Sequence, residues 1–137
     1  MLGVKKTKRV QGKRWRVLVA EDDPAGRNLI KLVLTKMRIE DVVIVNDGLA
    51  AWQEIEKAET SFDLVISDWN MPMATGLELL EQMREEDIKI PFLMITGRGL
   101  MESAVEAKMY DVTAFMPKPY SPQHLMQKIN VLLNSKL

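Results

Sequence analysis

Five short apolar runs recur along the chain: RVLVA at 16–20, VVIV at 42–45, LVIS at 64–67, FLMI at 92–95 and TAFM at 113–116. A strand with one wet face alternates apolar and polar residues. These runs are nearly continuous, as strands covered on both faces are. Between them the period changes. Ile30, Val33, Leu34 and Met37 fall at i, i+3, i+4 and i+7, and Leu125, Ile129, Leu132 and Leu133 repeat that stripe near the C-terminus. Alternation of strand and helix implies parallel pairing through right-handed crossovers. The expected fold is α/β, a doubly wound (βα)5 three-layer sandwich around a five-stranded parallel sheet.

Local chemistry supports that division. Asp23-Pro24 and Ser121-Pro122 each put a capping side chain before a proline at the first helical position. Asn46-Asp47-Gly48 reads as a turn after the second strand. A length of 137 residues suffices for one domain with a real core. No stretch approaches the roughly 18–20 uninterrupted apolar residues of a membrane span, so no membrane partner is expected. The start lacks the apolar h-region of a secretory signal. Without cysteine there is neither a disulfide framework nor a thiolate metal site, and a cytoplasmic location fits.

The net charge of zero hides an asymmetry. Seven cations from Lys5 to Arg16 occur without one acid, so the rest of the chain carries 12 cations against 19 acids, or −7. Residues 1–15 read as a basic, flexible tail and 16–137 as the domain. The tail has a single aromatic, Trp15, a poor stacking platform, and nucleic acid is not an expected partner.

In open α/β sheets, ligands bind beyond the carboxyl ends of the strands. Glu21, Asp22 and Asp23 follow the first strand, Asp68 the third, Thr96 the fourth, and Pro117 and Lys118 the fifth. Asp23 reads as a helix cap. Each of the others alone would be an ordinary loop residue; their convergence on one rim is the signal. Clustered carboxylates raise one another's pKa unless a cation neutralises them. An all-oxygen set suits a hard ion, Mg²⁺ or Mn²⁺. A carboxylate beside such an ion serves as a nucleophile toward phosphorus, giving an acyl phosphate. The ion and a lysine then neutralise charge on the phosphoryl oxygens. Asp68 is placed to receive the phosphoryl group and Thr96 to donate its hydroxyl to it.

The segments AEDDP (20–24), VISDWNMP (65–72) followed by GLELL (76–80), MITG (94–97) and PKPY (117–120) carry a likeness. From about Arg16 onward the chain resembles the receiver domain of two-component response regulators, most closely its single-domain chemotaxis members. The resemblance implies a flavodoxin-like fold, with Asp68 as phosphoacceptor and Asp22 as the direct metal-binding acid. It makes Glu21 a more distant companion and the Asn70 backbone carbonyl a further ligand, with Mg²⁺ the cofactor and Mn²⁺ the alternative. Thr96 and Lys118 correspond to the pair that binds phosphoryl oxygens, Thr96 and Phe115 to the switch, and Lys118–Pro119 to a cis bond. A histidine kinase is the implied phosphodonor, and a phosphatase a further partner. The output target binds the face formed by the helix between strands four and five, the fifth strand and the C-terminal helix. In chemotaxis members that target is the flagellar motor switch. Since the sequence stops after the last helix, output by protein binding is expected, from a monomer that is a self-phosphorylating and autodephosphorylating switch rather than an enzyme.

The chain departs from the pattern in several places. Glu21 stands where the chemotaxis members carry aspartate. Phe115 replaces a tyrosine and cannot donate a hydroxyl hydrogen bond at a partner surface. Gly97 leaves room over the site and Arg98 follows it; both are expected to alter dephosphorylation. Asp111 replaces a glycine before the fifth strand, implying a strained or rearranged turn. Met94 reads as core and His124 as surface; Met101 and Met109 fall on the helix between strands four and five, where filling of core gaps is the plainer reading and exposure at a docking face the alternative. Two other classes stay open. An aspartyl-nucleophile, Mg²⁺-dependent phosphatase is one, although Asn70 occupies the place of its usual second aspartate. A phosphorylation-independent adapter is the other.

Overall fold

The computed structural model describes residues 14–97 and 111–135. Residues 1–13, Arg98, and the expected helix bearing Met101 and Met109 lie outside the described residues. The elements run β1 (Arg16–Ala20), α1 (Pro24–Lys36), β2 (Asp41–Val45), α2 (Gly48–Lys57), β3 (Leu64–Asp68), α3 (Gly76–Glu85), β4 (Phe92–Thr96), β5 (Ala114–Pro117) and α4 (Pro122–Asn134). The five strands form one parallel sheet in the order β2-β1-β3-β4-β5. This is the doubly wound α/β fold that the strand pattern implies.

The continuous apolar runs are explained by what each face meets. Val17, Val19, Ile66, Leu93 and Ile95 point toward α1 and α4, where Ile30, Leu34, Leu125 and Ile129 cover them. Leu18, Val65, Phe92 and Met94 point the other way, against Leu79, Leu80 and Met83 of α3 and Ile55 of α2. Both sets are buried, so neither parity along a strand is left for polar residues. The edge strand β2 is only half-buried throughout. Among the described residues, Trp15, just ahead of β1, is already part of the core: its indole is 3% exposed and joins the α1–α4 layer. A charge run shows where solvent is tolerated but not where the first buried aromatic anchors the chain.

Caps fix where the helices start. Asp23 accepts from the Gly26 N–H at 3.0 Å, Asp47 from Ala50 at 2.7 Å and Ser121 from His124 at 3.1 Å. Thr75 and Glu78 form a reciprocal capping box at α3. Met94 is fully buried and His124 exposed, as the sequence implies. Asp111 holds φ 60°, a left-handed conformation that aspartate tolerates better than most residues.

Candidate functional site

Four strands deliver their C-terminal ends to one rim. Asp68 is the last residue of β3 and Thr96 the last of β4, each one residue further into its strand than the apolar run suggests. Glu21 continues β1, its N–H donating to the Val45 carbonyl at 3.0 Å. Lys118 follows β5 and donates its backbone N–H to the Thr96 carbonyl at 2.9 Å. The ladder thus dictates the position of every group, because register between parallel strands fixes which residues leave the sheet together.

The turn after Asp68 is held as tightly. Trp69 donates to the Ile95 carbonyl and accepts from the Gly76 N–H, both at 2.8 Å. A Cβ on Gly76 would lie 2.2 Å from the Asp68 carbonyl oxygen, so only glycine lets α3 start against the acid's own backbone. Trp69 is buried beside the site, whereas Asn70 and Asp22 are exposed.

Carboxylate oxygens of Glu21, Asp22 and Asp68 lie within 4.8 Å of one another. Glu21 is fully buried and Asp68 6% exposed. The Lys118 ammonium sits 2.7 Å from Asp68 Oδ2 and 3.8 Å from Glu21 Oε1. One ammonium therefore serves the two buried acids. Burial, and then the negative charge of Asp68, push the Glu21 carboxyl up to about 7. Burial alone would lower the Lys118 ammonium, but its hydrogen bond to Asp68 and the charge of that acid outweigh it and hold it above its ordinary value. Tyr120 is pushed up to about 12 by burial and then by the charges of Glu21 and Asp68.

Glu21 Oε1 is buried and accepts no hydrogen bond. The Lys118 ammonium, 3.8 Å away, is beyond hydrogen-bond reach, and a buried carboxylate oxygen without a donor costs free energy that a metal ion or its water would offset. The donor set is all oxygen, two of its members are buried and one opens to solvent, which suits a small hard divalent ion that keeps several waters. The residues present fit Mg²⁺.

The structure brings together Glu21, Asp22, Asp68 and Lys118. Thr96 is fully buried at the adjoining strand end. Phe115 is half-buried on β5, paired in register with Met94 and packed toward the α2–α3 layer. The Lys118–Pro119 bond is cis. The sequence reading passed over Arg27, whose Nη1 donates to the carbonyl oxygens of Asp22 at 2.8 Å and Glu21 at 3.3 Å.

Comparisons with known proteins agree with this geometry. The response regulator receiver domain family matches residues 17–130. The chain is 33% identical over 122 residues to chemotaxis protein CheY1 of Helicobacter pylori, covering 88% of this chain and 98% of that one. Against a CheY homolog of Campylobacter jejuni the figures are 33%, 88% and 93%. Among solved structures, the chemotaxis response regulator CheY4 of Vibrio cholerae superposes with a TM-score of 0.79 at 29% identity, covering 88% of this chain and all of that one. The receiver domain of a putative LuxO repressor protein from Vibrio parahaemolyticus gives 0.81 at 26%, covering 90% and 92%. An acid-and-lysine rim on a parallel sheet ordered β2-β1-β3-β4-β5, matched over most of its length, makes this chain a member of the response regulator receiver domain family, the switch module of two-component signalling.

Proposed function

We propose that this chain is a phosphorylation-operated switch in which Asp68 accepts a phosphoryl group from a phosphohistidine of a partner kinase in a Mg²⁺-dependent reaction. The observation that carries this reading is the excess of buried negative charge at the rim, where Glu21 and Asp68 share a single ammonium. An Asp68 carboxylate oxygen attacks phosphorus, the P–N bond breaks, and the imidazole leaves with the electron pair. The product is an acyl phosphate. Lys118 moves its hydrogen bond from Asp68 Oδ2 to a phosphoryl oxygen, and the Thr96 hydroxyl donates to another. When bound, Mg²⁺ neutralises charge on those oxygens; Glu21, Asp22, Asp68 and the Asn70 carbonyl would hold it.

Movement of Thr96 toward the phosphate leaves space into which Phe115 turns, reshaping the β5–α4 face that a target protein reads. Lacking a hydroxyl, Phe115 signals by packing alone. Coupling of this kind is worth about 1–3 kcal/mol. Hydrolysis of the acyl phosphate, assisted by a phosphatase, resets the switch. The names of the curated relatives favour a chemotaxis pathway; the flagellar motor switch as target and the cytoplasm as location are further parts of this proposal. Asn70 cannot shuttle a proton, which disfavours turnover of external phosphate esters.

Incubation with acetyl phosphate and Mg²⁺, followed by borohydride reduction and peptide mapping, tests the assignment. An acyl phosphate on Asp68 is reduced to homoserine at that position. Modification elsewhere, or none in a folded protein, contradicts it.

A further inference from the structure

We propose that Gly26 is a positioning residue for the acidic rim: its missing side chain gives the Glu21 carboxylate its place, so that residues 21 and 26 form a size-matched pair. The inference rests on the metal reading of that rim. Gly26 lies in the first turn of α1 with ordinary helical backbone. Glycine there is less favourable than alanine, and no turn conformation requires it. Space does. A Cβ at residue 26 would lie 2.9 Å from Glu21 Oε1, 3.0 Å from Cδ and 3.1 Å from Cγ. All three contacts fall on one side chain, and they fall on the outer part that a glutamate extends.

Neither backbone can yield. The Glu21 N–H is bonded to Val45, and Arg27 holds the carbonyls of Glu21 and Asp22. On the helix side, Gly26 N–H is bonded to the Asp23 carboxylate and Arg27 N–H to the Asp23 carbonyl. Asp23 N–H in turn donates to Glu21 Oε2 at 3.2 Å. With both ends tied, an added methyl group is relieved only by displacing the Glu21 carboxylate. That group is fully buried, so displacement changes its distance to Asp68 and Lys118 rather than moving it into solvent. A shorter acid at residue 21 lacks Cδ and Oε1 and so relieves the two closest contacts, leaving only the one with Cγ. The chain thus carries a longer first acid together with the vacancy that accommodates it.

Mg²⁺ titration by calorimetry on four proteins tests this: the unsubstituted chain, Gly26→Ala, Glu21→Asp, and the double variant. Gly26→Ala raises the Mg²⁺ dissociation constant roughly tenfold in the glutamate background, the lower end of what disturbing a supporting residue costs. In the Glu21→Asp background the same substitution changes it less than about twofold, and that difference between backgrounds is the coupling of the two positions. A cooperative thermal transition of Gly26→Ala well above the titration temperature shows that lost binding is not lost folding. Equal weakening in both backgrounds, or no weakening with Glu21 present, overturns the size-matched pair. Absence of Mg²⁺ binding by the unsubstituted protein overturns the metal reading, and this inference with it.

Discussion

Glu21 sets the electrostatics of the rim, because it is the acid with least access to water and its carboxyl is pushed up to about 7 by burial and by Asp68. In the metal-free protein the folded state therefore binds more protons than the unfolded state between an ordinary glutamate pKa and about 7. Stability from this group is fully present in acid and is lost as pH rises through 7. Urea unfolding of metal-free protein at pH 5.5 and pH 8 should show lower stability at pH 8. Glu21→Gln should remove most of that difference while weakening Mg²⁺ binding. A pH dependence that survives Glu21→Gln would place the effect elsewhere. The identity of the acids was legible in the sequence, since their types and their places after strands are what phosphoryl chemistry needs. The depth of Glu21 and the parts played by Gly26 and Arg27 were not, because they depend on how closely the first turn of α1 approaches the end of β1.

Strands were legible as elements because burial on both faces removes polar residues from both parities. Helix starts were legible through their caps. Helix ends were not: α1 and α3 finish in Schellman turns whose left-handed residues are Arg38 (φ 62°) and Asp87 (φ 59°) instead of glycine. Ile39 N–H reaches the Leu34 carbonyl and Ile88 N–H the Met83 carbonyl, with apolar contact in each case. Beyond the end of α3, Arg84 binds the carbonyls of Ile88 and Ile90, entering β4, and of Asp111, entering β5. One guanidinium thus joins three chain segments and steadies the left-handed turn at Asp111. Arg84→Ala should cost about 2–3 kcal/mol in urea unfolding, since several backbone carbonyls lose a charged donor at once. Arg84→Lys should recover little of it, because an ammonium lacks the planar fork. A loss below about 0.5 kcal/mol, typical of a surface substitution, would show that the clamp contributes little.

For the whole molecule, the sheet places a charge-excess rim above two apolar layers, and ligands that relieve that charge should stabilise the fold. At free Mg²⁺ about 100-fold above its dissociation constant, mass action adds about 2.7 kcal/mol. That gain should appear at pH 8 and shrink at pH 5.5, where a proton on Glu21 competes with the ion. An increment independent of pH would mean that Mg²⁺ binds away from Glu21. The central claim is that Asp68 is the acceptor and that the rest of the rim serves it. Trp69 follows Asp68 directly and is buried beside it, which makes its fluorescence the closest reporter; Trp15 lies in the opposite layer and Trp52 is half-buried on α2. The most direct test is Trp69 fluorescence on adding beryllofluoride, with and without Mg²⁺, in the unsubstituted chain and in Asp68→Asn. A change that requires Mg²⁺ and vanishes in Asp68→Asn is the predicted result. A response that persists in Asp68→Asn, or a folded protein that binds neither Mg²⁺ nor beryllofluoride, would contradict it.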